Sequence, residues 1–227
     1  MTFSWSPFPR GGGGSGGVPD APNDGYSYIR KAMAWLRSWF TSGYVSGRVY
    51  PCDYGLSVGT GGGVAVNTIY WTPMIIDVDT TISALTAEVT TPQTGALFRL
   101  SVFAEDPTNK GPLGAALGTT GDMTAATAAV VTGALGASLA LPAGIYWVSN
   151  VCNTASVIFR CVAATQGWVS RYVGSTDTAA IFSANPGQLF YQLANPGAYG
   201  TLPTLTAGQA VLTRGTSRAF VSGFTVA

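Results

Sequence analysis

Short stretches of alternating apolar and polar residues recur in the chain between Tyr44 and Ala227. In the clearest stretch every second residue is apolar, at Phe98, Leu100, Val102 and Ala104. The same period recurs in residues 189–193 and 220–226, and clusters of Gly, Pro and Asn separate the stretches. Because no helical period intervenes, the pattern predicts a mainly β fold, an antiparallel β-sandwich that is jelly-roll-like.

Three further segments refine this prediction. The runs Ile69 to Ile76 and Gly144 to Val151 are almost continuously apolar, which is typical of strands buried on both faces or covered by a neighbouring subunit. Residues 120–140 are rich in Ala, Thr and Gly and show poor helical spacing. We therefore expect irregular strands there rather than a helix.

The N-terminal region has a different composition. Aromatic residues Phe3, Trp5 and Phe8 precede the glycine-rich segment Gly11 to Gly17. A short peptide ahead of a flexible tether is a poor candidate for a core, so we expect these aromatics to dock into a groove on a partner. A random coil of that tether's length reaches ~15 Å. The predicted organisation is an anchor peptide and tether (1–17), a connector (18–43) and a β domain (44–227).

The connector fits two conformations. Apolar residues at helical spacing form one stripe, namely Ile29, Met33, Leu36 and Phe40. A second stripe lies beside it, namely Tyr28, Ala32, Trp35 and Trp39. Asn23 or Asp24 would cap such a helix at its start and Gly43 would follow its end. The connector is thus predicted to be either a short helix or an extended segment.

The charge content is low for a soluble domain. Lys and Arg total 11, Asp and Glu total 10, and only 9% of residues are charged, against about 25% in ordinary domains. A net charge of +1 favours neither nucleic acid nor an anionic membrane as a partner. We expect no membrane insertion, because no apolar run approaches ~20 residues, and no secretory signal. A surface with so few charges suits a subunit that is buried in an assembly.

The cysteines predict no disulfide framework. Cys152 and Cys161 flank a predicted turn at residues 153–156, and a hairpin there would place them ~13 Å apart along the sheet. A disulfide cannot span that distance. We expect both to be small buried hydrophobic residues.

Enzymatic chemistry is poorly supported. The chain has no histidine, which removes the usual general base and the commonest metal ligand. Three carboxylate pairs remain as candidates for glycosidase chemistry or Ca²⁺ binding: Asp77 with Asp79 on one face of a strand, Glu105 with Asp106 at a turn, and Asp20 with Asp24. The glycine run at residues 59–63 lacks the Gly-Lys-Ser/Thr of a phosphate loop. Because turn carboxylates are far commoner than catalytic ones, we predict a protein that is not an enzyme and has no metal or cofactor.

Several aromatic residues are candidates for binding. Trp168 and Tyr172, with Arg171 beside them, could stack on a host glycan or form an interface. We expect Trp71 and Trp147 to pack on the faces of a sheet.

The segment from Asp20 to Trp35 resembles the virion-proximal segment of tailed-bacteriophage appendages, especially tail fibres and spikes. These often carry D-A-P-[S/N]-D-G-x-x-Y-x-R-K-x-x-A-W. The matching positions are Asp20, Ala21, Pro22, Asn23, Asp24, Gly25, Tyr28, Arg30, Lys31, Ala34 and Trp35. The chain departs from this pattern at Ile29 and Met33, where the family often has glycine. Residues 103–121 also resemble a strand–turn–strand of virion jelly-roll modules, and residues 141–149 resemble their closing strand.

The resemblance implies a structural virion protein, assembled in the host cytoplasm. It would be an appendage subunit of the tail-fibre, spike or head-fibre type. Its expected partners are capsid, portal, collar or tail proteins, together with two further copies of the chain in a homotrimer. The anchor would comprise the N-terminal aromatics and the motif residues Asp20, Pro22, Asp24, Gly25, Tyr28, Arg30 and Trp35. The alternatives are a receptor-recognition module for host surface polysaccharide and a capsid decoration protein.

Overall fold

The computed structural model describes residues 28–31, 34–37, 43–52, 58–162, 189–194, 199–214 and 220–227. In chain order the strands are β1 Tyr28–Lys31, β2 Ala34–Arg37, β3 Val49–Pro51, β4 Val58–Gly63, β5 Thr68–Ile76, β6 Thr80–Thr91, β7 Leu97–Glu105, β8 Pro112–Thr119, β9 Met123–Thr124, β10 Ala129–Leu141, β11 Gly144–Cys152, β12 Ile158–Val162, β13 Leu189–Ala194, β14 Val211–Arg214 and β15 Ser222–Val226. Within those ranges there is no helix, which confirms the prediction of a mainly β fold.

The chain divides into two compact units, residues 1–42 and 43–227. In the first unit β1 and β2 pair antiparallel, with Ile29 opposite Leu36 and Arg30 opposite Trp35. The helical alternative for the connector is therefore wrong for these eight residues, which are extended. The physical reason is that residues seven apart fit two helical turns but are equally well placed as partners across an antiparallel strand pair. Met33 and Phe40 lie outside the described residues.

One sheet of the second unit is organised around the long strand β6. Strand β10 pairs with one edge of β6, and β15 and β12 follow one another along its other edge. Strands β3 and β4 pair with β15 and β12, respectively. We call this six-stranded sheet the β6 sheet.

The second sheet has β11 near its middle, paired antiparallel with β5 and β7. Strands β13 and β14 extend it beyond β5, and β8 and β9 pair with the far edge of β7. We call this seven-stranded sheet the β11 sheet. Sequence neighbours repeatedly lie in different sheets, as in an antiparallel sandwich.

The main core joins both sheets. Leu85 and Phe224 from the β6 sheet lie in one buried cluster with Phe98, Leu100 and Val102 from the β11 sheet. The alternation predicted for β7 is therefore confirmed: Phe98 packs edge-on against Phe159 of β12, with ring centroids 4.9 Å apart. Both sheets are antiparallel and enclose this core, as the sequence predicted.

Strands β5 and β11 are buried on both faces, as predicted. Their second face carries a separate cluster around Trp71, Trp147 and Phe103. The cover comes partly from the chain itself, because Leu205 belongs to this cluster and forms a bridge with Gly114 at the β11-sheet edge. The two tryptophans are fully buried, which confirms that they pack on a sheet face.

Residues 120–140 form strands, as predicted, although not regular ones. They contain β9 and most of β10, whose register with β6 shifts between Ala134 and Leu139. The shift is a β-bulge or similar irregularity, in agreement with the predicted irregularity.

The predicted hairpin between Cys152 and Cys161 is wrong. Strand β11 ends at Cys152 in one sheet, whereas Cys161 lies on β12 in the other. Both edges of β11 are already occupied by β5 and β7, so β12 has no place beside it. All three cysteines, including Cys52, are buried and reduced, and burial raises the pKa of the Cys152 thiol. The prediction of small buried hydrophobic residues is confirmed.

Candidate functional site

The structure describes only part of the predicted anchor. Tyr28, Arg30 and Trp35 lie on the β1–β2 pair, where Arg30 is opposite Trp35 and Tyr28 is opposite Arg37. The other predicted site residues lie outside the described residues and are Phe3, Trp5, Phe8, Asp20, Pro22, Asp24, Gly25, Trp168, Arg171 and Tyr172. Their proposed roles stay predictions.

Asp77 and Asp79 do not share a strand face, which corrects the sequence prediction. They lie in the connection between Ile76, the end of β5, and Thr80, the start of β6. Asp79 Oδ1 accepts a hydrogen bond of 2.8 Å from the backbone N–H of Ala143. This contact ties the β5–β6 connection to the β10–β11 connection, so Asp79 has a structural partner. Its role explains a carboxylate at this position without catalysis.

Asp106 caps the turn between β7 and β8. Its Oδ2 accepts a hydrogen bond from the Asn109 side chain at 2.7 Å, and its Oδ1 accepts one from the Thr108 N–H at 2.9 Å. The side-chain bond from Asn109, followed by the backbone bond from Thr108, lowers the pKa of this carboxyl. The turn also holds Lys110 at a φ of 55°. These bonds identify Asp106 as a turn-forming residue.

The described ranges contain neither a metal-binding cluster nor a membrane-spanning helix. Those residues contain no group of three or more His, Cys, Asp or Glu side chains able to hold a metal ion. They also contain no helix long and apolar enough to cross a bilayer.

The described surface contains a groove of about 310 Å³ on the outer face of the β6 sheet. Its floor crosses neighbouring strands, because Gly223 is opposite Pro51 on one side and Thr86 on the other. Position 223 is crowded: a Cβ there would lie 3.0 Å from the backbone oxygen of Tyr50, closer than most Cβ contacts, which favours glycine. The missing side chain leaves a depression in the face. We call it the sheet groove.

An ion pair forms one wall of the sheet groove. Arg160 donates from Nε to Glu88 Oε2 at 2.9 Å and from Nη2 to Oε1 at 2.5 Å, in a two-pronged arrangement. Hydrogen bonding by the guanidinium lowers the pKa of Glu88, and the same contact raises the pKa of Arg160. Val130, opposite Glu88 on β10, adds an apolar side chain that is 66% exposed. The groove thus combines a neutral ion pair with small and aliphatic residues.

Replacing Glu88 with glutamine is expected to reduce stability slightly at neutral pH and to have less effect in acid. The pKa of Glu88 is lower in the folded chain than its ordinary value of 4.5, so the pair contributes stability above that value. The contribution is lost as the pH falls through the folded-state pKa. Urea unfolding of both proteins at pH 7 and in acid checks this. The control is a double-mutant cycle with Arg160→Gln, and equal effects of Glu88→Gln at both pH values would contradict it.

A second polar cluster fastens residues 199–200 to the β11 sheet. Asp122 Oδ1 accepts hydrogen bonds from Arg99 Nε at 2.5 Å and from the Tyr199 hydroxyl at 2.9 Å. Arg99 also donates to the backbone oxygen of Gly200 and lies 5.5 Å from the centre of the Tyr199 ring. Burial, reinforced by the Asp122 hydrogen bond, raises the pKa of Tyr199. This cluster holds the cover of the Trp71 and Trp147 cluster in place.

Several buried polar atoms have no hydrogen-bond partner among the residues that the structure describes. They are Trp71 Nε1, Thr72 Oγ1, Ser101 Oγ, Trp147 Nε1, Ser149 Oγ, Asn150 Nδ2 and Oδ1, and Ser222 Oγ. Most belong to the central strands of the β11 sheet, where Ser149 is opposite Trp71 on one side and Ser101 on the other. Such atoms are uncommon in native cores and each lowers stability.

Comparison with known proteins adds no relative. No protein-family model matches the chain, and neither a curated protein nor a solved structure matches it significantly.

Sequence reasoning missed the sheet groove and its ion pair. A signal was present: Glu88 is the only charged residue of β6, and Arg160 is the only charged residue of β12. Two lone opposite charges on polar faces of strands suggest a cross-strand pair. Which strands are neighbours, however, is decided by the tertiary fold.

Proposed function

We propose that this chain is a structural protein of a tailed-phage or phage-like particle. It acts as an appendage subunit, of the tail-fibre, spike or head-fibre type, that is attached by its N-terminal region and presents a β-sandwich. The observation that carries the proposal is the motif from Asp20 to Trp35, which follows an aromatic peptide and a glycine tether. Its attachment partners would be capsid, portal, collar or tail proteins.

The architecture supports this proposal in two respects. An antiparallel sandwich whose successive strands change sheets agrees with a jelly-roll-like module. The outer face of the β6 sheet has small, uncharged residues such as Thr86 and Gly223 at its centre, which suits contact with other proteins better than prolonged exposure. Assembly, and not turnover of a substrate, is the proposed role.

Deleting residues 1–17 is expected to leave the sandwich folded and to abolish its incorporation into particles. The anchor aromatics Phe3, Trp5 and Phe8 would be lost, whereas the unit that begins at Gly43 keeps all its strands. Incorporation is measured by immunolabelling and mass spectrometry of purified particles, and folding by circular dichroism.

Two narrower variants separate docking by the aromatic side chains from other effects of losing the N-terminal peptide. Alanine at the three aromatic positions should reduce incorporation as strongly as the deletion. Alanine at the neighbouring polar positions Thr2, Ser4 and Ser6 is the matched control and should leave it unchanged. Normal incorporation of the deletion variant would contradict the proposed anchor.

The other assignments stay predictions with their own tests. A host-polysaccharide receptor module would bind sugars through Trp168, Arg171 and Tyr172, which a glycan array probes. A capsid decoration protein would be labelled over the head surface. The homotrimer implied by the resemblance is tested by the mass of the purified oligomer.

A further inference from the structure

Two serines lie on the second face of the β11 sheet, among the side chains of the tryptophan cluster. Ser149 of β11 is directly opposite Ser101 of β7 on one side and opposite Trp71 of β5 on the other. Residues opposite one another in antiparallel strands share a face, so these three side chains form a row across three neighbouring strands. We call it the polar row.

The polar row is covered by aromatic rings. Trp71 belongs to β5 and Phe103 to β7, with β11 between their strands, yet their ring centroids are only 5.7 Å apart. Because strands two apart in a sheet are separated by about 9–10 Å, these rings must reach toward each other over β11. Ser149 lies on β11 on this face, and its small side chain leaves room for that reach. The indole of Trp71 is thereby brought over the serines.

Each member of the polar row is completely enclosed, and each lacks a polar partner. Ser101, Ser149 and Trp71 are all 0% exposed. Among the described residues, neither serine Oγ nor the Trp71 Nε1 has a hydrogen-bond partner, so the three groups do not bond one another either. Side chains that are directly opposite begin about 5 Å apart at Cβ, a spacing that one intervening molecule can bridge. One shared partner would satisfy all three groups.

The other unpartnered atoms on the same strands do not join this row. Thr72 and Asn150 alternate to the opposite face of the sheet, with Tyr70 and Val148 of the main core. Ser222 lies on β15, in the other sheet. The concentration of unpartnered groups on one face therefore belongs to the polar row and is not a general property of the sandwich.

We propose that the polar row holds one internal water molecule. The water accepts a hydrogen bond from the N–H of Trp71 and a second from one serine hydroxyl, and it donates a third to the other hydroxyl. Buried waters typically make about three such bonds to buried polar groups, and they occur about once per 27 residues in globular proteins. The bound water offsets the cost of burying these groups.

The chemistry of the row matches a small neutral molecule. An indole N–H only donates, whereas a serine hydroxyl both donates and accepts, so a molecule that does both, as water does, fits the row. The row supplies no carboxylate for a cation. Arg99, two residues from Ser101 on the same face, is bonded to Asp122 and to the backbone oxygen of Gly200, so its charge is already compensated. An anion in the row would be buried without a free positive charge.

This inference concerns the interior of the sandwich and goes beyond the proposed virion role. Particle incorporation tests the anchor, whereas the occupancy of the polar row is tested on the purified chain. The two ideas therefore fail separately.

The direct test is a high-resolution crystal structure of the full chain. We expect a single water within hydrogen-bond distance of Trp71 Nε1 and of both serine hydroxyls. In solution, the indole proton of Trp71, assigned by its loss in Trp71→Phe, should show a cross peak to a long-lived water, and this peak should disappear in Ser149→Ala. A dry row, an ion in place of the water, or hydroxyls bonded directly to another part of the chain would each overturn the proposal.

The stability of two matched serine variants gives an independent test. Ser149→Ala removes a partner of the water and should lower the urea midpoint of unfolding. Ser222→Ala removes a hydroxyl that is also buried and unpartnered among the described residues but lies outside the polar row, so it should leave the midpoint unchanged or raise it. Circular dichroism confirms that both variants fold. A Ser149→Ala midpoint equal to or above that of the wild type would contradict a water bound at this serine.

Discussion

Replacing Trp147 with alanine is expected to lower the free energy of unfolding by about 3–5 kcal/mol. The indole is completely buried on the second face of the β11 sheet, opposite Phe103 on one neighbouring strand and Pro73 on the other. Its ring meets that of Tyr191 edge-on at 5.0 Å. Because domains of this size are stable by about 5–15 kcal/mol, the loss is a large part of the total.

Removal of the Trp147 side chain should also loosen residues that do not contact it directly. Tyr191 donates a hydrogen bond from its hydroxyl to the backbone oxygen of Asn109, and its ring lies against Gly111 in the β7–β8 turn. Loss of Trp147 removes the surface that positions this tyrosine. We therefore expect faster amide exchange at residues 106–111 as well as lower global stability.

Urea unfolding followed by circular dichroism measures the stability change. Val211→Ala is the control, because Val211 is 59% exposed on a strand of the same sheet and its replacement should change stability by no more than about 0.5 kcal/mol. A loss below about 1 kcal/mol for Trp147→Ala would contradict tight packing of this cluster.

Replacing Asn150 with leucine is expected to stabilise the protein by about 1–3 kcal/mol. Asn150 lies on the central strand β11, between Tyr70 and Leu100 of its neighbours, and is almost completely buried. Within the described part of the chain, neither its amide oxygen nor its amide nitrogen has a hydrogen-bond partner. Folding thus removes two polar groups from water without replacing their bonds, and leucine, which branches at the same carbon, avoids that cost.

Asn153, three residues along the chain, provides the matched control. Its Oδ1 accepts a hydrogen bond of 2.9 Å from the backbone N–H of Leu97, so leucine there would leave a donor unpaired. We expect Asn153→Leu to destabilise the protein by about 1–2 kcal/mol. Thermal and urea unfolding of both variants compare them directly. If Asn150→Leu also proved destabilising, either bound water satisfies the amide or the larger leucine side chain overpacks the site, and Asn150→Ala separates the two.

Local pattern was sufficient to predict the fold class and several faces of strands. The period of two in residues 98–104 identified the core face of β7, and the continuous apolar runs identified β5 and β11 as buried on both faces. These properties follow from the composition of one strand alone. Side chains of a strand alternate between faces whatever its neighbours are.

Pairing between strands was predicted less well. The spacing of Ile29 and Leu36 suggested a helix, but the two residues are partners across β1 and β2. Cys152 and Cys161 were predicted to lie on the two strands of one hairpin, but their strands belong to different sheets. In each case a short sequence was compatible with two arrangements, and contacts distant in sequence selected one of them.

The sheet groove also depends on contacts between residues that are distant in sequence. The sheet groove needs Gly223, Thr86 and the Glu88–Arg160 pair to meet, although position 223 lies more than 130 residues after position 86.

The sequence by itself determined that this chain is a mainly β protein with low charge in which Trp71, Trp147, Cys152 and Cys161 are buried, since burial of apolar side chains and the two-residue strand period act locally. Only the tertiary structure decided the order of strands in the two sheets, the small outer face at Gly223 and the ion pair between Glu88 and Arg160. Those features depend on register between distant segments, which is selected by the packing of the whole core.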